Sequence, residues 1–386
     1  MANTKAGALL FASSLLISTV AIPSRLGASE KNFVYTNNNN YFAANTVSAY
    51  SVDTDGSVVE VNGSPFATGG EGVGPNGFIP AIRIAVCEKF LFASNDYSGS
   101  ISGFAIDSLT GGLTAVPGSP FTIGVAGSEG IPLAITPDCD HLFAGDLNGN
   151  RIFGFHVSAT GTLVPVAGSP FSVPDSPGVL KLNSTHEFLA VTFNDLQAVG
   201  MYNVRPDGVL TAVPGSPFSA SFPSLGLGAP DIDCETHFLY LPETVEKIDV
   251  FNIAANGALT LTSKSPVLTP SDNVVAVLSP NGSFLFTSNQ SSGVNSFHRG
   301  GLNSVAGSPF NANLVASGGV SVNKAGTLLF VSDFDSLTTE FSVMSIGSKG
   351  LLTLSPSSPT STGQQGGMFS LAAYPSKTCD SSSAKN

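Results

Sequence analysis

The sequence predicts an all-β protein: a seven-bladed β-propeller with four-stranded antiparallel blades, its ring closed by the C-terminal strand completing the N-terminal blade. Three observations predict it. A six-residue element returns seven times at a spacing near fifty. Each unit carries four strand-like runs. The chain also begins on a second strand and ends on a first one.

The recurring element reads VNGSPF, VPGSPF, VAGSPF, VPGSPF, TSKSPV, VAGSPF and SPSSPT. Its prolines are Pro65, Pro120, Pro170, Pro217, Pro266, Pro309 and Pro359, with successive differences of 55, 50, 47, 49, 43 and 50. Proline cannot donate to a strand ladder, so the element is expected at the end of each unit's outermost strand, where the chain crosses to the next unit. Ahead of it lies a turn ending in glycine: Gly56, Gly112, Gly161, Gly208, Gly257, Gly301 and Gly350. DTDG and RPDG are hairpin turns of the kind that need a positive φ.

The second strands include FVYTN, FLFASN, LFAGD and FLAVTF, and the third strands TVSAYSV, SISGFAI and RIFGFHV. Six first strands lie inside the chain, from residues 79–86 to 318–324. The seventh, MFSLAAYP at 368–375, has no strand after it, while the N-terminus begins directly at Phe33 with a second strand. The last strand is therefore expected to complete the first sheet and remove a free edge. The propeller spans 33–375, with a tail at 376–386.

Composition agrees. Of 386 residues only 11% are charged, 42% are hydrophobic, and Gly (42), Pro (25) and Phe (27) are plentiful. Turn formers and strand formers dominate over helix formers. The formal charge of −12 argues against nucleic acid and against an anionic membrane surface as partners. Residues 1–29 have the layout of a secretory signal peptide: Lys5, an apolar run over 6–22, then small residues. The run is short for a full span. A secreted or periplasmic location, no membrane contact in the mature form and a monomer are the expectations. Four cysteines, Cys87, Cys139, Cys234 and Cys379, allow three pairings; a bridge from Cys87 to Cys139 or Cys379 would join neighbouring blades.

Seven such units, with VYTN and FASN ending second strands and NTVSAYSV following, resemble the lactonase family of seven-bladed propellers. That family includes 6-phosphogluconolactonase-type enzymes and is related to the Tyr-Val-Thr-Asn repeat propellers. The resemblance covers nearly all of the mature chain. It implies a histidine just after the Gly-x-x-Pro that opens an inner strand. This chain has Ile-Pro-Ala at 79–81, Ile-Pro-Leu at 131–133, Ser-Pro-Gly at 176–178 and Ala-Pro-Asp at 229–231, with no histidine at any of them.

The candidate site is the central channel. Aligned without gaps to their second strands, Arg83, Lys181 and Asp231 share one level with Ala134, Val277 and Ser321. Arg83 and Lys181 would orient an anionic or carbonyl group, and Asp231 would serve as base or partner. The plainer reading is a hydrated salt bridge. Glu71 and Glu129, on the glycine-rich loops 67–78 and 122–130, are the acids expected to reach a ligand over the channel. No cofactor is expected. The second-strand ends, Asn37, Asn95, Asp146, Phe193, Glu243, Asn289 and Asp333, would offer a ring of oxygens to Ca²⁺ or Mg²⁺, or simply close their own turns. His141, His186 and His237 fall in turns of separate blades, too far apart for metal bonds of ~2 Å. Two functions are consistent with this. The first is a binding or scaffold module for a small molecule or protein, using the loop face or the channel. The alternative is a hydrolase of a non-phosphorylated lactone.

Overall fold

The computed structural model describes residues 1–2, 31–74, 82–125, 127–128, 130–193, 195–221, 226–291, 293–333, 339–364, 370–377 and 379. All but the first two belong to one compact unit, 31–386. The expected signal peptide lies outside the described residues apart from Met1 and Ala2.

Seven antiparallel sheets make the seven blades. Blade 4 is typical. Its innermost strand is Pro177–Leu182, its second Phe188–Phe193 and its third Ala198–Val204. The second strand is buried from end to end, because both of its faces meet a neighbouring blade. An apolar layer fills each gap between blades. Phe33, Tyr35, Leu91 and Phe104 pack between blades 1 and 2. Phe143, Ile152, Leu189 and Phe193 pack between blades 3 and 4. Each such phenylalanine contributes roughly 1.5–3 kcal/mol by leaving water.

The ring closes as expected. The innermost strands of blades 2 to 7 are Ile84–Val86, Leu133–Ile135, Pro177–Leu182, Asp231–Ile232, Ala276–Leu278 and Ser317–Val322. Each touches the next, and Leu371–Tyr374 joins the last to the first. That C-terminal strand pairs with Asn32–Asn37 of blade 1, matching Phe33 with Tyr374 and Thr36 with Leu371.

The recurring element does something its sequence does not announce. It lies in the middle of the outer edge and splits the fourth strand in two. In blade 4, Leu210–Ala212 pairs with one end of the third strand and Phe218–Ser219 with the other. Between them the chain loops out in a turn from Val213 to Ser216, closed by a Ser216 N–H to Val213 C=O bond of 2.9 Å, with Gly215 at φ 91. This is the turn geometry that needs glycine in third place. The looped-out backbone leaves the third-strand N–H of Met201 without a main-chain acceptor. The Ser216 hydroxyl takes that bond at 2.9 Å.

The same serine bond recurs in every blade. Ser64, Ser119, Ser169, Ser265, Ser308 and Ser358 accept from the N–H groups of Ala49, Gly103, Gly154, Val250, Ser296 and Val343. The adjoining Ser–Pro bond is cis in all seven. The element therefore repeats because one side-chain oxygen must stand in for a carbonyl at the same rung of every edge.

The turn glycine ahead of the fourth strand has a second duty. Gly161 and Gly257, both at positive φ, press on Phe90 and Phe188, the first residues of the preceding blades' second strands. A Cβ on Gly257 would come within 2.5 Å of the Phe188 ring. In blade 2 this residue is Gly111 at φ 75, not Gly112. In blade 4 it is Gly208, and the ring it meets is His141. His141 thus fills a phenylalanine position in the core. Burial pulls its imidazole below the ordinary histidine range.

Two disulfides are present. Cys87–Cys139 joins the first-to-second-strand turns of blades 2 and 3, with Cα atoms 5.5 Å apart. Cys234–Cys379 joins blade 5 to the tail, with Cα atoms 5.4 Å apart.

Two outcomes are expected. Deleting residues 368–386 exposes the inner edge of blade 1, and the single cooperative thermal transition measured by circular dichroism should be lost. Ser216→Ala orphans the Met201 N–H on a partly buried edge. Urea titration should show a loss of about 1–2 kcal/mol, and Ser119→Ala should lose a similar amount.

Candidate functional site

The innermost strands carry few charges, and their register decides which of them meet. Lys181 pairs with Ala190 and Asp231 with Tyr240, each opposite the third residue of its second strand. Arg83 does not share this level. Ser94, near the far end of the second strand, donates its N–H to the Arg83 carbonyl, and Ala85 stands opposite Phe92. The cause is the connecting turn. Blade 2 passes from Val86 to Phe90, whereas blades 4 and 5 pass from Leu182 to Phe188 and from Ile232 to Phe238. Blade 2's turn is two residues shorter, so an ungapped alignment misplaces Arg83 by two residues.

Arg83 is instead a buried pin. It is 2% exposed and forms an ion pair with the fully buried Asp96. Its N–H donates to Ser370 Oγ beside the closing strand at 2.6 Å. Its carbonyl accepts from Asn37 Nδ2 of blade 1 at 2.9 Å. Asp96 Oδ1 accepts from the Ile131 N–H of blade 3 at 3.1 Å. The pair therefore ties three blades together at the loop end, out of a ligand's reach.

Lys181 and Asp231 do meet, and a third group joins them. Lys181 Nζ lies 2.7 Å from Asp231 Oδ1. Lys377, from the tail, binds Asp231 Oδ2 from the other side. Asp231 Oδ1 also accepts from the Ile232 N–H at 3.0 Å, and Oδ2 from the Leu278 N–H at 2.7 Å. Lys377 Nζ donates to the Leu278 carbonyl at 3.3 Å as well. Burial pushes the Asp231 carboxyl up, but Lys181 and Lys377 outweigh it. Together with the Leu278 N–H they hold it far below the usual carboxylate range. Burial also pulls the Lys377 ammonium below its ordinary value, against the opposing pull of Asp231. Asp231 is fully buried, while the side chains of Lys181 and Lys377 remain 28% and 24% exposed.

This trio borders a cavity of about 450 Å³ at the end of the channel carrying the first-to-second-strand turns. The innermost strands of blades 2, 3 and 4 supply an apolar wall that includes Ile84, Leu133, Ile135 and Leu180. Asp231, Lys377 and Cys379 form the other side. The tail reaches this place by crossing from blade 1. Ser376 bridges to Asn323 of blade 7, Lys377 bonds blades 6 and 5, and Cys379 is tied to Cys234 of blade 5.

The other expected residues lie elsewhere. Glu71 is exposed, at the end of a strand on the outer edge of blade 1, where its backbone meets Tyr97 and Ser98. Nothing brings it near Lys181 or Asp231. Glu129 lies outside the described residues. The second-strand ends mostly close local contacts. Asn37, Asp146 and Asn289 accept from the backbone N–H two residues on, at 3.2, 3.2 and 3.1 Å. Asp146 also pairs with Arg151 at 2.8 Å. Among the described residues, no three His, Cys, Asp or Glu side chains gather as a metal site.

Lys377 is the residue that sequence reasoning missed. It lies beyond the last repeat, so no periodicity marks it. Cys379, two residues on, is the usable signal, since a tail cysteine paired to the ring carries the nearby lysine with it.

No protein-family model matches the chain, and no curated protein sequence matches it. Solved structures do. A candidate 6-phosphogluconolactonase of Bacteroides fragilis superposes with a TM-score of 0.69 at 17% identity, covering 90% of this chain and 99% of that one. The periplasmic gluconolactonase of Pseudomonas aeruginosa gives 0.67 at 16% identity, covering 89% and 98%. At these identities the likeness establishes the architecture alone, a seven-bladed β-propeller.

Asp231→Asn should strand two ammonium groups beside a buried amide. We expect a loss of about 3 kcal/mol in urea unfolding, at the low end for a broken buried pair because both lysines keep partial access to water. The folded pKa of Asp231 lies below its unfolded value of about 3.9. Its contribution is therefore complete above about pH 4 and is lost as pH falls further, towards the folded pKa. The gap between variant and parent should stay level from pH 5 to 8 and narrow below pH 4.

Proposed function

We propose that this chain is an exported lactonase-like propeller that acts as a binding module, taking a small ligand in its central channel. The observation that carries this reading is the state of Asp231. A general base needs a free lone pair and a pKa near the working pH. Asp231 has both oxygens occupied by lysines and backbone N–H groups, and it is held strongly ionised. It organises charge and does not accept protons. Arg83 is locked to Asp96, and Glu71 is exposed at the end of an outer strand of blade 1. The inner strands carry no histidine at the positions where the family resemblance implies one.

Export is supported by the two disulfides, which persist in oxidising compartments, together with the leader-like N-terminal sequence. The acidic charge keeps nucleic acid and anionic membranes out of the partner set, and we take the protein to be a monomer.

A second reading has one observation in its favour: the P. aeruginosa protein of the same architecture is a periplasmic gluconolactonase. On that reading the chain opens a non-phosphorylated lactone, with Lys181 and Lys377 polarising the carbonyl. A pH-stat panel of glucono-δ-lactone and simple γ- and δ-lactones separates the two. We expect rates equal to the buffer blank. Ring-opening that disappears in Lys181→Met would replace the binding module with the hydrolase.

A further inference from the structure

We propose that the cavity beside Lys181 and Lys377 is a site for an amphipathic monoanion, a molecule with a short apolar body and one carboxylate. On this proposal Lys377, carried on the latched tail, reads its charge. The inference rests on the channel-binding reading and adds the class of ligand.

The charge balance comes first. Two ammonium groups and one carboxylate line the cavity, and its other lining residues among the described ones are uncharged, so these groups sum to +1 within a chain of formal charge −12. Position sharpens this. Asp231 is fully buried and both its oxygens are already engaged by lysines and backbone N–H groups, so the hydrogen-bonding capacity left for a ligand is that of the ammonium groups. Each lysine keeps about a quarter of its side chain exposed. Each also keeps donor capacity, since an ammonium has three N–H groups. An anion placed there completes the lysines without displacing Asp231.

The rest of the cavity argues against a small inorganic ion. Ile84, Leu133, Ile135 and Leu180 come from three consecutive blades and form a continuous hydrocarbon wall. At about 450 Å³ the space falls within the usual range for small-molecule sites, about 300–1,000 Å³. A wall of that kind rewards an apolar body, because apolar area removed from water is favourable. The lysines then set its orientation.

The tail is an integral side of the site. Blades 2 to 5 supply one part, and the segment around Ser376 and Lys377 the other. The Cys234–Cys379 bridge holds that segment in place, and Cys379 is exposed. Without the bridge the segment would rely on the Ser376–Asn323 bridge and on the bonds of Lys377 to Asp231 and Leu278.

Isothermal titration calorimetry tests this with octanoate, its neutral counterpart octan-1-ol, and inorganic phosphate. Octanoate should bind one per chain, at least ten-fold more tightly than octan-1-ol, with phosphate weaker than both. Lys377→Met should weaken octanoate at least ten-fold and leave octan-1-ol unchanged, while Lys377→Arg should restore octanoate. The double variant Cys234→Ser, Cys379→Ser keeps every cavity charge but frees the tail. It should show the same selective loss, and it serves if Lys377→Met does not fold. If neither octanoate nor octan-1-ol binds, the channel reading itself falls. If both bind alike in parent and Lys377→Met, the channel reading stands and the anion assignment falls. Phosphate binding as tightly as octanoate would overturn the amphipathic part.

Discussion

The main-chain pairing of residues 371–374 with 33–36 is the constraint on which the rest of this structure depends. A propeller blade is stable because both of its faces are covered. That holds for every blade only if the ring closes. Here one sheet is built from the two ends of the chain, which removes the free edge a linear array would leave. Closure also has a positional consequence. A strand ending at Tyr374 leads the tail to the turn end of the channel, and so Ser376 and Lys377 enter the cavity.

The two ends of the channel are held by different chemistry. At the loop end, Arg83, Asp96, Asn37 and Ser370 form a buried network in which each member bonds across blades. Such networks are costly when incomplete and rigid when satisfied. At the turn end, Asp231 is equally buried, but its partners are long lysines with part of their length in water. An arginine pin with almost no exposure serves architecture. Lysines at the edge of an apolar cavity retain hydrogen-bonding capacity for something else. The difference between these two ion pairs, and not the number of charges, is what singles out the turn end for the proposed ligand.

The repeated element shows how strongly a backbone requirement can write sequence. Its serine oxygen stands in for a missing carbonyl in all seven blades, including the divergent TSKSPV and SPSSPT copies, which keep the serine and proline and lose the glycine and phenylalanine. The histidines point the same way. His141 looks like a candidate ligand in a turn, but it occupies a ring position filled by Phe90 and Phe188 in other blades, pressed against a glycine of the next blade. Chemistry-bearing residue types are absorbed by packing wherever the repeat geometry demands a ring.

Taken alone, the sequence determined the architecture: seven units, their strand order, the closure by the tail and an export-compatible set of cysteines. These are properties of periodic patterning, and a period survives without coordinates. It also picked Lys181 and Asp231, because their turns have equal length and counting back from the second strand lands on the right rung. Only the tertiary structure decided that Arg83 belongs elsewhere, since a turn shorter by two residues shifts a register that no ungapped alignment can detect. Only it decided that the tail crosses from blade 1 to blade 5 and brings Lys377 to Asp231. The physical reason is separation along the chain. Residue 231 lies in a repeat and residue 377 beyond the last one, and their meeting is a product of ring geometry and one disulfide whose pairing the sequence leaves open.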